Sequence, residues 1–140
     1  MTVASYNWTW EQGSDLVMSM VYREGPLGEE TPVDLSDYSL RMDVTLDGLR
    51  IFTFNSDDIE VNGVDVVGPA DNEATLGADG TIRIVVPRSI TLPGGAVYAI
   101  MEPNNITVLQ YDIFLRDADN LQRKFMKGTI SVNPSYTLWL

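Results

Sequence analysis

The chain has no cysteine and no histidine among its 140 residues. Without cysteine there is no disulfide framework, no thiolate zinc site and no sulfur nucleophile. Without histidine the commonest general base and the commonest transition-metal ligand are missing, so a Ser-His-Asp triad, a zincin site and an imidazole pH switch are all excluded. Basic residues are scarce as well: 9 Lys and Arg stand against 20 Asp and Glu, for a net charge of −11. Phosphate backbones are bound by clustered cations that release counterions, so nucleic acid is not an expected partner. No apolar run approaches the ~20 residues of a membrane-spanning helix, and no membrane partner is expected. The opening residues, MTVASYNWTW, lack the basic and apolar regions of a secretory signal, and assembly in a cytoplasm is the expectation.

What charge there is lies unevenly. Residues 1–80 hold 16 acidic and 3 basic side chains, a net of −13, and residues 81–140 hold 4 acidic and 6 basic, a net of +2. A solvated acidic surface explains this simply. Electrostatic complementarity between neighbouring copies or with a basic partner is the sharper reading.

Alternation dominates the chain. Tyr6, Trp8 and Trp10 alternate with Asn7 and Thr9, and Leu16, Met18, Met20 and Tyr22 alternate with Val17, Ser19, Val21 and Arg23. Leu40, Met42, Val44 and Leu46 form a third inward row, and Asp47-Gly48 is the signature of a two-residue type I′ hairpin turn returning through residues 49–54. Short strands are expected at 59–61, 64–67 and 81–86, and a turn or single helical turn at 88–92, after Pro87. The region 55–79 carries seven acids and no Lys or Arg. The Gly-, Pro- and Glu-rich residues 24–32 read as an exposed loop.

The clearest element is the closing hairpin. Leu109, Tyr111, Ile113, Met126, Ile130 and Val132 should face inward, with Asp117-Ala118-Asp119-Asn120 as the turn. Pairing Ile113 with Met126 puts Asp112 opposite Lys127 and Phe114 opposite Phe125 on the outer face, and it sets Arg116 against Arg123. Seven to nine short strands with turns between them and almost no helical pattern predict an all-β sandwich. It should be a single antiparallel domain over residues 1–134, followed by an apolar tail at 135–140.

No catalytic constellation emerges. Among 20 acids no spacing selects a glycosidase pair, and no enzyme activity is expected. Counted from Asp117, a calcium loop would need Gly at position 122 and an acid at 128, which are Gln122 and Gly128. No metal or other cofactor is expected. Trp8, Trp10, Tyr22 and Trp139 suggest a sugar-stacking platform, which makes a carbohydrate-binding module the alternative from another functional class. The candidate contact residues are Phe114 and Phe125 on the hairpin, Tyr136, Leu138, Trp139 and Leu140 in the tail, and Asp57, Asp58 and Glu60 in the acidic stretch. Large apolar side chains in a tail ask to be covered, and Trp and Tyr are enriched at interface hot spots.

Three stretches carry a resemblance. They are Asn7-Trp8-Thr9-Trp10-Glu11-Gln12-Gly13-Ser14-Asp15, Thr31-Pro32-Val33-Asp34-Leu35-Ser36-Asp37-Tyr38-Ser39-Leu40-Arg41-Met42, and Tyr111-Asp112-Ile113 with Arg116-Asp117-Ala118-Asp119 and Gly128-Thr129-Ile130-Ser131-Val132. In this order they resemble small β-sandwich virion proteins of tailed bacteriophages, and are similar to the immunoglobulin-like N-terminal domain of upper-baseplate and tail-fibre-attachment proteins. Residues 93–108 are longer than that pattern. The resemblance implies an immunoglobulin-like sandwich and a structural component of the virion, assembled in the host bacterial cytoplasm. It implies a small adaptor docking tail, baseplate, neck or fibre proteins as a homo-oligomer in a symmetric assembly, with a head-decoration protein as the variant reading.

Overall fold

The computed structural model describes residues 4–56, 59–61, 64–67, 73–102 and 104–135. The candidate residues Asp57, Asp58, Tyr136, Leu138, Trp139 and Leu140 lie outside the described residues.

Thirteen strands occupy the described residues. They are β1 (Ala4–Ser5), β2 (Trp8–Glu11), β3 (Leu16–Val21), β4 (Arg23–Glu24), β5 (Thr31–Pro32), β6 (Ser39–Leu46), β7 (Leu49–Asn55), β8 (Ile59–Val61), β9 (Val64–Val67), β10 (Glu73–Leu76), β11 (Thr81–Val86), β12 (Thr107–Arg116) and β13 (Gln122–Asn133). The large sheet runs β1-β13-β12-β6-β7-β8-β9, with β2 also beside β13. A small sheet runs β10-β11-β3, and β4 and β5 make a two-residue ribbon. The chain is an all-β, immunoglobulin-like sandwich. The large sheet has the A′-G-F-C-C′-C″ order of a variable-type domain, and the small sheet has its B-E-D order.

The alternation explains the core. Leu109, Tyr111, Ile113, Ile130 and Val132 are at most 2% exposed, and Met126 is at 9%. From the facing side Leu16, Met18, Ile82, Ile84 and Val86 close over them as part of one buried cluster. Asp47 and Gly48 both take positive φ, 51° and 82°, as a type I′ turn between β6 and β7 requires. The 3₁₀ turn Arg88–Thr91 follows Pro87. Thr91 is fully buried there, its hydroxyl donating to the Arg88 carbonyl at 3.0 Å and accepting from the Gly13 amide at 2.9 Å.

Two features differ from an all-antiparallel expectation. First, β1 and β2 pair with β13 in parallel, Ala4 beside Met126 and Trp8 beside Ile130. Gly128 makes this possible, because a Cβ there would fall onto the Tyr6 carbonyl oxygen. Second, the hairpin register holds from Thr107↔Val132 to Ile113↔Met126 and then shifts by one at a β-bulge. Beyond it Phe114 faces Lys124, Leu115 faces Arg123 and Arg116 faces Gln122. The expected Phe114–Phe125 and Arg116–Arg123 pairs therefore do not form. A one-residue slip exchanges the faces of every side chain beyond it. Here it turns Phe125 inward against Tyr22, with ring centroids 5.0 Å apart. It also gives Arg116 a neutral partner, the Gln122 Oε1 at 3.1 Å, in place of a like charge.

The turn itself is as the sequence suggested. The Asp117 carboxylate accepts from the amides of Asp119 at 2.9 Å and Leu121 at 3.0 Å, and Asn120 takes φ 64°. This is a self-bonded Asx turn, with its carboxylate committed to the backbone. Three strands went unread: β1, then β5, which pairs with β4 inside the 24–32 stretch expected as loop, and β10, whose Glu73-Ala74-Thr75-Leu76 is weak in strand propensity and is placed by pairing with β11.

Candidate docking faces

The outer face of the large sheet is built by the out-pointing residues of β12, β6 and β7. In register across it lie Lys127, Asp112, Asp43 and Thr53. Asp112 directly opposite Asp43 is a like-charge pair, which by itself is destabilising. Each carboxylate is offset by its own cations. Lys124 reaches Asp112 at 3.2 Å, while Arg41 at 3.1 Å and Arg50 at 3.7 Å flank Asp43. Thr53, buried at 4% exposure, donates its hydroxyl to the same Asp43 oxygen at 3.0 Å. Exposed ion pairs are worth about 0–1 kcal/mol each, so the row sets charge pattern more than stability.

At the bulged end of this face a concavity of about 270 Å³ opens, lined by Arg41, Asn55, Ser56, Phe114, Arg116 and Gln122 among others. Phe114 is half-buried in its wall, and the Lys124 ammonium sits 5.6 Å from its ring centroid, within cation–π range. Two guanidinium groups, two amides and an aromatic ring suit carboxylate and carbonyl groups of a peptide. Of the two phenylalanines expected on this face, the structure keeps Phe114 and removes Phe125. Glu60 lies in β8 with its backbone opposite Thr53, on the far side of the same sheet from the hairpin.

Among the described residues the aromatic platform does not form, and Trp139 lies outside them. Trp10 is 1% and Tyr22 is 4% exposed, so neither can stack on a sugar. The Trp10 indole N–H donates to the Ser14 carbonyl at 2.8 Å. Trp8 stacks instead on Tyr6, with centroids 4.6 Å apart, and its indole N–H donates to the Tyr111 hydroxyl at 3.0 Å. That hydroxyl in turn donates to the Tyr6 carbonyl at 2.6 Å. Burial pushes the Tyr111 pKa up, which keeps this buried link neutral. The network ties the parallel edge strand to the core of the large sheet. Its signal in the sequence was the alternating Tyr6, Trp8 and Trp10, read as one strand where the structure has β1 and β2 interrupted at Tyr6 and Asn7.

A second polar cluster closes the other end of the sandwich. Tyr22 donates to Glu24, and the Arg123 guanidinium donates to the same Glu24 oxygen at 3.1 Å. Burial first, and the adjacent Glu24 carboxylate second, push the Tyr22 pKa up to about 12. The bulge creates this cluster, because it is the slip that swings Arg123 and Phe125 toward Tyr22.

Among the described residues no group of three or more Asp, Glu, His or Cys is placed to hold a metal ion, and no helix is long and apolar enough to cross a membrane.

No family model and no curated protein matches the chain. Among solved structures it is similar to murine CRIg, at 12% identity over 96% of this chain and 95% of that one, with a TM-score of 0.38. It is also similar to the periplasmic chaperone SfaE, at 9% identity over 99% of this chain, with a TM-score of 0.45. The chain spans 58% of the length of SfaE.

Proposed function

We propose that the chain is a structural component of a bacteriophage virion, a small adaptor of the tail, baseplate or neck that works by docking and not by catalysis. The observation that carries the reading is the concavity on the outer face of the large sheet, where Phe114 stands between Arg41 and Arg116. A half-buried aromatic ring framed by guanidinium donors is the composition of an interface anchor with its polar rim. The sequence resemblance to phage β-sandwich proteins supplies the class of partner. Other tail, baseplate, neck or fibre proteins would seat on this face, and acidic stretches of a neighbouring copy, such as the one holding Asp57, Asp58 and Glu60, match its arginines in charge. Individually modest contacts gain strength when a symmetric ring of copies engages together, because the second contact becomes intramolecular.

Two observations test the reading. The coding sequence should lie among tail, baseplate or neck genes, and the protein should be recovered in purified virions at a copy number set by their symmetry. A coding sequence among carbohydrate-metabolism genes, with the protein absent from particles, overturns it.

A further inference from the structure

In an immunoglobulin-like sandwich of the constant type, a first strand covers the free edge of strand B. Here both β1 and β2 lie on β13 of the large sheet instead. Strand B is β3, which pairs with β11 on one side. Among the described residues no strand pairs with its other side. Alternate residues of an edge strand send their N–H and C=O groups outward, where they template a further strand. The usual protections are missing: Leu16-Val17-Met18-Ser19-Met20-Val21 has no charge, no proline and no glycine. Val17 and Val21 are 45% and 48% exposed on its outer face.

The chain also carries a segment suited to such an edge. Residues 136–140, Tyr-Thr-Leu-Trp-Leu, alternate Tyr136, Leu138 and Leu140 with Thr137 and Trp139 and hold no charge or proline. Ser135, which precedes them, lies at the sandwich end where β3 begins. The Ser135 amide donates to the Gln12 side chain at 3.0 Å, and the Gln12 amide donates to the Asn133 carbonyl at 2.9 Å. The molecule supplies its own ruler for the distance between the sheets. The chain uses all of Gln12-Gly13-Ser14-Asp15 to pass from β2, the neighbour of β13, to β3. An equal crossing from Ser135 would consume most of residues 136–140 before they reached their own β3.

We infer that β3 is a strand-addition site whose occupant is the segment Tyr136 to Leu140 of a second copy of this chain. Main-chain hydrogen bonds to the open edge give affinity. One apolar row of the added strand extends the core beside Leu16, Met18 and Met20, and Thr137 and Trp139 join Val17 and Val21 on the outer face. Donor and acceptor are different surfaces, so the contact is heterologous and builds rings or larger arrays. The inference rests on the reading that the protein acts by assembling copies, and it names the contact.

The absence of cysteine makes the test clean. In the full chain, Ser19→Cys combined with Thr137→Cys should oxidise to covalent dimers and larger species on a non-reducing gel, since facing residues of paired strands lie within disulfide reach. Monomers with their thiols consumed would place the segment on its own β3 and overturn the inference. Monomers with free thiols would overturn the site itself. As an independent arm, Val17→Lys with Val21→Lys should weaken self-association at least tenfold by light scattering, with an unchanged melting curve. Self-association unaltered by the two lysines sinks the idea. Recovery of the chain in virions without the cross-link would leave the adaptor reading standing and remove this contact; cross-linked oligomers with no presence in virions would do the reverse.

Discussion

The large sheet ends in a short interrupted strand on one side and in the β8–β9 hairpin, with Asp65 in its last strand, on the other. Its outer face is patterned with paired charge around Asp43 and Asp112. The small sheet ends in an uncharged six-residue strand, and its outer face offers Val17 and Val21. The same alternation built both sheets. The difference lies in where β1 and β2 went: they joined β13, and among the described residues no strand covers the β3 edge of the other sheet. Stability rests on the network around Tyr111 and Gly128, while the association proposed above falls to other places, the β3 edge and the Phe114 concavity.

The sharpest way to break this division is to push the first strands off the large sheet. Gly128→Val drives a side chain into the Tyr6 carbonyl and should cost about 3 kcal/mol or more, in the range of overpacking and backbone-clash mutants, read from the denaturant midpoint. A loss under about 1 kcal/mol would mean that the parallel edge adds little. The Tyr22 cluster gives a second, pH-dependent handle. Its phenol stays protonated in the fold to about pH 12 against an ordinary value near 10. The unfolded chain therefore releases the proton first, and stability that is intact below pH 10 should decline by about 2 kcal/mol as pH rises to 12. Tyr22→Phe should flatten that part of the profile; an unchanged slope would assign it to other tyrosines.

Tyr111→Phe strips one hydroxyl that serves both Trp8 and Tyr6. Leaving those two groups unanswered should lower stability by about 1–2 kcal/mol, seen as a lower Tm. Asp43→Asn, by contrast, weakens ion pairs to two exposed arginines and should shift stability by about 1 kcal/mol. Phe114→Ala should cost the isolated chain about 1 kcal/mol or less for a half-buried ring, while co-purification with the virion neighbour proposed above is lost. Retained co-purification would move the docking site off the large sheet.

Much of this architecture was legible in the residues. Inward rows such as Leu109, Tyr111 and Ile113 declare themselves by period two, and Asp47-Gly48 and Asp117 to Asn120 declare their turns. The bulge was not legible, because Phe114 and Phe125 make an unbroken alternation in which Phe–Phe pairing looks favourable. What decides against it comes from the segment that follows β3: Tyr22 and Glu24 offer Phe125 and Arg123 better partners. The parallel placement of β1 and β2 was equally hidden, since alternation is the same in either strand direction. Gly128 was the signal available, a glycine inside a strand where another backbone passes close. The candidate residues divide in the same way. Phe114 was expected on the outer face from strand alternation, and the structure keeps it there. Trp10 and Tyr22 were misjudged as platform residues because a side chain's burial depends on what packs over it.

The parallel edge also bears on biosynthesis. Ala4 pairs with Met126, and Trp8 with Ile130, so β1 and β2 leave a ribosome long before the strand they pair with. Contacts of such long sequence separation slow folding, into milliseconds to seconds for sandwiches of this kind. Through that interval Tyr6, Trp8 and Trp10 have no sheet to join. The indole of Trp10, sealed last, makes the docking of β2 a fluorescence event that should trail formation of the β12–β13 hairpin.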